Sequence, residues 1–324
     1  MQFRRLGSSG LKVSALGLGT NAFGKRAGYE ASEQIIHSAI DSGVNFIDTA
    51  NIYAGTESET IIGHALQGKR HNVVLATKAG LVKGPGMNER GSSRYHLLHE
   101  LEESLRRLQT DHIDLYQIHT FDRDTPLEET LRTLEDMIRS GKVRYIGASN
   151  YYAWELMKSL GISEKLGLNR FISTQTSYSL ADRTPENELV PMCLDQGVSI
   201  IPYFPLAGGI LSGKYSSRDK SPAGSRAQTD PAFGRYLDDK LITLAEQLGH
   251  IANQLGCSTS TLSLAWLLHQ PVVATVIVGA TRAEQLQHNL DSLSVKLTPE
   301  IVVELDALTS TFREGKPFAM FRLP

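Results

Sequence analysis

Four residues stand out by type and by place: Asp48, Tyr53, Lys78 and His119. Three of them end or directly follow short apolar runs, Val44–Asp48, Val73–Thr77 and Ile113–Ile118. If those runs are neighbouring strands, a carboxylate, an ammonium and an imidazole finish at matching heights. Tyr53, five residues beyond Asp48, can swing back over the same mouth. Together they form an acid–base device. The carboxylate holds the ammonium, and the ammonium favours the phenolate and lowers the tyrosine pKa from about 10. Such a tyrosine gives its proton to a carbonyl oxygen as negative charge develops there. Singly, each residue has a plainer reading. Asp48 with Thr49 could cap a helix, Lys78 could be a solvated loop lysine, Tyr53 a packing residue and His119 a satisfied core histidine. Their convergence carries the argument.

The elements that would have to position them alternate along almost the whole chain. Two short extended pieces, Met1–Arg5 and Lys12–Ser14, flank Gly7-Ser8-Ser9-Gly10 and read as a hairpin. Strands follow near Ala15–Gly19, Val44–Asp48, Val73–Thr77, Ile113–Ile118, Tyr145–Ala148, Phe171–Thr174, Val198–Tyr203 and Val273–Val278. Helical patterns lie between them. Leu97, Leu101, Leu105 and Leu108 share one helix face, as do Leu127, Leu131, Leu134 and Ile138 of a helix starting at Pro126 and stopping at Gly141. Eight such strands favour a closed (β/α)8 TIM barrel over a doubly wound sheet. The stretch Gly17-Leu18-Gly19-Thr20-Asn21-Ala22 lacks the third glycine of a Rossmann fingerprint and opens no convincing helix. The expected architecture is one α/β barrel domain over residues 1–324, with an N-terminal β-hairpin. A long irregular loop, 207–234, follows the seventh strand.

Composition removes other classes. Lys and Arg number 33 against 35 Asp and Glu, a net charge of −2 with no basic run, which argues against a phosphate-backbone partner. Hydrophobic residues make up 41%, enough for a sizeable core. Cys193 and Cys257 form neither a metal-ligand pair nor a disulfide framework by spacing, which favours a reducing compartment. No signal-peptide core and no membrane-length apolar run is present; Val272–Val278 is a strand's length. The expectation is a cytoplasmic protein with no nucleic-acid or membrane partner. His96 and His99 sit three apart on a helix without a suitable third ligand, so no metal site is expected. Glu100, Glu102, Glu103, Arg106 and Arg107 read as a solvated helix face.

From Ala15 to about Asn289 the sequence resembles the aldo-keto reductases. Gly43-Val44-Asn45-Phe46-Ile47-Asp48-Thr49-Ala50 with Tyr53, Glu59 and Gly63 is similar to that family's first signature. Gly141-Lys142-Val143-Arg144-Tyr145-Ile146-Gly147-Ala148-Ser149-Asn150 resembles the stretch typical of its bacterial and potassium-channel β-subunit branch. The resemblance implies a catalytic tetrad of Asp48, Tyr53, Lys78 and His119. It also implies hydride transfer between NADP(H) and a small-molecule aldehyde or ketone, with Tyr53 as general acid and His119 orienting the carbonyl. Cofactor positions follow from it: Gly19, Thr20, Asn21 and Asp48 on the first strands; Ser149, Asn150 and Gln175 for the nicotinamide carboxamide; Tyr203 to stack on the ring. Phe204, Pro205, Leu206, Ala207, Gly208 and Lys214 would close on the pyrophosphate. Gly279, Thr281, Arg282, Gln285 and Asn289 would hold the adenosine 2′-phosphate and the adenine. Better-known members place lysine at Gly279, arginine at Gln285 and glutamate at His288, so a preference for the phosphorylated cofactor rests here on Arg282 and Thr281.

Two rivals belong to other classes. One is a cofactor-holding regulatory protein like the channel β-subunits, which usually carry asparagine where this chain has His119. The other is a Schiff-base aldolase using Lys78, which would want a lysine of depressed pKa, whereas Asp48 would keep it charged. Phe23, Leu81 and Phe121 follow strands one, three and four and are the expected pocket walls. The loop 207–234 reads equally as a lid or as a disordered surface segment.

Overall fold

A computed structural model describes residues 1–215, 226–229, 233 and 237–324. The hairpin consists of β1 (Phe3–Arg5) and β2 (Lys12–Ser14), paired antiparallel. The strands β3 (Leu16–Gly19), β4 (Phe46–Asp48), β5 (Val74–Ala79), β6 (Ile113–Ile118), β7 (Val143–Ser149), β8 (Ser173–Ser177), β9 (Ser199–Tyr203) and β10 (Val276–Gly279) are all parallel and hydrogen-bonded in chain order. β10 returns to pair with β3. The last seam is closed by the residues just ahead of β10: Ile200 donates its N–H to Val272 (2.8 Å), and Ala274 donates to Ile200 (3.2 Å). This is the expected (β/α)8 barrel.

The helices are α1 (Tyr29–Asp41), α2 (Glu57–Ala65), α3 (Arg94–Leu108), α4 (Leu127–Arg139), α5 (Ala153–Leu166), α6 (Leu189–Gln196), α7 (Arg226–Thr229), α8 (Asp239–Gln254), α9 (Thr259–His269), α10 (Ala283–Leu290) and α11 (Pro299–Thr309). Local chemistry sets their ends. Ser93 caps α3 by accepting from the His96 N–H, and Gln109 stops it in a left-handed turn at φ 52°. Asp238 and Ser258 cap α8 and α9 in the same way.

Several strands differ from the expected ranges by a residue or more, and two differ most. The sixth barrel strand is Ser173–Ser177, shifted toward the carboxyl end from Phe171–Thr174. It reads Ser-Thr-Gln-Thr-Ser yet is buried throughout, so an apolar pattern misplaces it. The apolar run Val273–Val278 divides its pairing, its first residues bonding to β9 and the rest to β3. The expected irregular stretch 207–234 begins with a 3-10 turn over Ala207–Ser212; much of it lies outside the described residues.

Side chains that alternate into the barrel change character with height. Low down, Phe46, Val74, Leu115 and Ile201 share an apolar cluster with Leu6 and Val13 of the hairpin. Two residues further along the same strands come Asp48 after Phe46, Lys78 after Ala76, and Gln117 then His119 after Leu115. The barrel therefore has a dry floor and a polar mouth. The hairpin seals the floor. Arg4 donates to the carbonyls of Val273 (2.9 Å) and Leu268 (2.6 Å). Gly7, at φ +60°, lies so close that a Cβ would meet the Ile172 carbonyl oxygen at 2.2 Å.

Candidate active site

Asp48 and Lys78 come from adjacent strands and meet in the barrel with almost no solvent exposure. The Lys78 Nζ donates to Asp48 Oδ2 at 2.6 Å and to the Thr49 carbonyl at 2.8 Å. The other carboxylate oxygen, Oδ1, accepts from Gln117 Nε2 (3.0 Å) and Gln175 Nε2 (2.9 Å). Gln117 has room because the neighbouring strand carries Gly147, where a Cβ would stand 3.2 Å from the Gln117 Cγ. A buried ion pair is tolerable only when its remaining hydrogen-bonding positions are filled, and these amides fill them.

Tyr53 is half-buried above the pair, with Lys78 Nζ 5.3 Å from its ring centre. His119 packs edge-on against it, ring centres 6.0 Å apart. Burial raises the Tyr53 phenol above its ordinary pKa; Lys78 pulls it down, by less. The net sign is thus opposite to the expected lowering, because desolvation outweighs the ammonium. The direction assigned to Lys78 holds. Burial works to lower the Lys78 pKa, but Asp48 and Tyr53 overcome it, and the ammonium is held above its usual value. Burial, then Lys78, push His119 well below the usual histidine range, so its imidazole is neutral at pH 7. Its Nδ1 is buried without a protein partner. The arrangement offers a neutral phenol, a neutral imidazole and a fixed positive charge beneath them.

The backbone around the mouth is strained. Among the described residues six non-glycine residues have positive φ, and five of them, Ala54, Thr56, Asn150, Phe204 and Ala207, follow β4, β7 and β9 at this end of the barrel. Such conformations cost roughly 1–3 kcal/mol each and persist where the surroundings impose them. A separate cavity of about 360 Å³ is lined by Arg70, His71, His112 and Arg144, away from these strand ends. Arg70 and Arg144 there are both tied to Asp114 at 2.8 Å, so it is not a competing site.

The family model described as "Aldo/keto reductase family" matches residues 15–310. The chain belongs to the aldo/keto reductase family. It is 40% identical over 313 residues to the "uncharacterized oxidoreductase YrpG" of Bacillus subtilis, covering 93% of this chain and 94% of that protein. A "probable voltage-gated potassium channel subunit beta" of Arabidopsis thaliana is 34% identical, covering 94% of this chain and 96% of its own. The "versiconal hemiacetal acetate reductase" of Aspergillus parasiticus is also 34% identical, with the same shares. As an aldo/keto reductase with oxidoreductases among its relatives, the protein is an oxidoreductase.

The other residues expected in an aldo/keto reductase site are distributed unevenly. Ser149 and Gln175 pair in register across β7 and β8, and Tyr203 ends β9. Thr20 is committed to the protein, its hydroxyl donating to the Asp48 carbonyl at 2.9 Å. Asn150 is fully engaged as well. Its amide donates to the His119 carbonyl (2.9 Å) and Ser149 Oγ (3.1 Å), while its Oδ1 accepts from the Tyr203 hydroxyl (2.7 Å) and the Phe321 N–H (3.2 Å). Gly19 is buried and Asn21 exposed at the end of β3; Phe204 through Gly208 form the turn after β9. Lys214 folds back over Gly209, where a Cβ would stand 3.3 Å from its Nζ. Burial, then Arg26, lower its pKa, and no described carboxylate pairs with it. Arg282 is the exposed N-cap of α10, Gln285 Oε1 accepts from the Thr281 N–H (2.8 Å) and hydroxyl (3.0 Å), and Gly279 and Asn289 flank them.

Two expectations need correcting. Phe23 is wholly buried in the main core beside Ala22 and Ala27, so it packs the fold and walls no pocket. Phe121 does stand at the rim, edge-on to Tyr151 (5.2 Å) and Trp154 (5.7 Å), and Leu81 is partly exposed. Glu100 and Arg107 are not a solvated face. Glu100 accepts from Asn51 (2.7 Å) and from Lys83 (2.7 and 2.8 Å), and Arg107 pairs with Glu59 at 2.7 Å. Glu59 in turn accepts from Thr77 at 2.5 Å, beside Lys78. This buried network backs the tetrad and was hidden because its members are scattered in sequence. Gln117 was legible in principle, as a polar residue two before His119 on an apolar strand. Among the described residues no group of His, Cys, Asp and Glu could hold a metal ion, and no helix is long and apolar enough to cross a membrane.

Proposed function

We propose that the protein reduces an aldehyde or ketone to the alcohol with NADPH. The observation that carries this reading is the buried Asp48–Lys78 pair beneath Tyr53, with neutral His119 beside it. The residues fit a nicotinamide dinucleotide: Ser149 and Gln175 offer a donor and an acceptor for a carboxamide, Tyr203 a ring to stack on, and Lys214 charge for a pyrophosphate. When bound, the reduced nicotinamide supplies the hydride. His119 orients the carbonyl through a ring N–H. Tyr53 gives its proton to the carbonyl oxygen as charge develops there. Lys78 steadies the phenolate left behind, and Asp48 keeps Lys78 charged and in place. The raised Lys78 pKa speaks against a Schiff-base aldolase, which needs a neutral amine.

The test is a panel of aldehydes, ketones and sugars, followed by loss of NADPH absorbance. Turnover of at least one carbonyl is expected. Tight NADPH binding with no turnover across the panel would support instead a cofactor-holding role.

Cofactor choice has its own test. Arg282 stands at the start of α10, where a guanidinium and helix N–H groups together suit a 2′-phosphate. A charge-assisted contact of about 1.5–3 kcal/mol corresponds to roughly 10- to 150-fold in affinity. Arg282→Ala is therefore expected to weaken NADPH by that factor and leave NADH nearly unchanged. Titrating both cofactors into both proteins checks it; equal weakening of the two removes Arg282 from the site.

A further inference from the structure

The segment 316–322 follows the turn Ser310–Arg313 and crosses the barrel mouth, and nothing in its sequence pattern marks it as part of the site. Its contacts are specific. The Phe318 N–H donates to Asp182 (2.8 Å), the Ala319 carbonyl lies 2.8 Å from the Tyr203 hydroxyl, and Thr120 donates to the Phe321 carbonyl (2.8 Å). Arg322 fastens the end. Its guanidinium donates to the Asn150 backbone carbonyl at 2.7 Å, forms a two-pronged pair with the fully buried Glu155, and lies 4.5 Å from the centre of the Tyr152 ring. Glu155 also accepts from the Tyr152 N–H, so Arg322 is bolted to the first turn of α5, directly after β7.

Asn150 is what this clasp holds. It sits at φ +56°, a conformation that asparagine tolerates but does not prefer strongly enough to keep unaided. Its backbone carbonyl is pinned by Arg322 and its side-chain oxygen by the Phe321 N–H and Tyr203. Its amide group faces the other way, onto the His119 carbonyl and Ser149. All four bonding positions of that side chain are taken by protein, so a ligand amide could displace only a contact already made.

We propose that Arg322 is a positioning residue: through Asn150 it sets Ser149 and His119 at the ends of β7 and β6, and so prepares the nicotinamide site without touching it. The choice of NADPH as probe rests on the function proposed above; the clasp itself does not. Arg322→Ala and Arg322→Lys in the full chain are compared with the unaltered protein by NADPH titration, by amide hydrogen exchange without cofactor, and by thermal melting.

For Arg322→Ala the NADPH Kd should rise about tenfold. Exchange should quicken in peptides covering 119–121 and 149–152 while those covering 16–19 and 46–48 stay as they were. Arg322→Lys keeps the charge facing Glu155 but loses the forked reach to Asn150, and should fall between. A Kd that is unchanged, or tighter because the segment competes with the cofactor, overturns the proposal. So does exchange rising all around the barrel in step with a lower melting temperature, the mark of a merely structural residue. If the unaltered protein does not take NADPH, the functional reading fails and the exchange comparison still decides the clasp.

Discussion

Tyr53→Phe is expected to leave a folded protein that binds NADPH but reduces carbonyls about 10²–10⁴-fold more slowly, the usual weight of a general acid. The substitution keeps the ring, and with it the edge-on contact to His119. It removes only the hydroxyl. The buried phenol has a raised pKa, so in the unaltered enzyme it is fully protonated at neutral pH and ready to donate in the reductive direction. The loss should therefore fall on kcat, with the KM for cofactor little changed. Steady-state kinetics on the best carbonyl of the panel check this, and near-normal turnover would remove Tyr53 from the chemistry.

Lys78→Met should cost both activity and stability. Asp48 would keep its two amide donors, Gln117 and Gln175, but lose the only described cation in contact with it. Breaking one side of a buried pair costs about 3–5 kcal/mol. Denaturant unfolding reads that loss, and adding Asp48→Asn should recover most of it without restoring activity, since the second change removes the stranded charge. The pH effect has a definite sign. Lys78 lowers the Tyr53 pKa, so without it the phenol ionises later. In the alcohol-oxidising direction the phenolate is the base, and the rise of rate with pH must move to more alkaline values. A folded variant with an unmoved profile breaks the link between the two residues.

The barrel and the tetrad were legible in the sequence because both rest on period and position: apolar runs every few tens of residues, three of which end at or run into Asp48, Lys78 and His119. Asp48, Lys78 and His119 lie where that pattern puts them. What escaped depends on contacts between distant residues. Gln175 bonds to Asp48 across 127 positions and Arg322 to Asn150 across 172, separations at which no local periodicity operates. The strand Ser173–Ser177 was misjudged at its edges because its buried side chains are hydroxyls and an amide. The sign of the Tyr53 shift was misjudged because charge is visible in a sequence and desolvation is not.

The hairpin at the floor makes the barrel a cup with one lip. With Leu6 and Val13 wedged among Phe46 and Leu115, nothing passes through the narrow end, and arrivals and departures must share the same rim. Whichever molecule reaches deepest has to enter first and leave last. The sealed end is also a handle. A cysteine placed at exposed Ser8, on the turn between β1 and β2, would tether the protein to a surface with its lip facing outward. An immobilised layer built that way should keep its turnover, whereas one anchored near Trp154 would face the lip into the support.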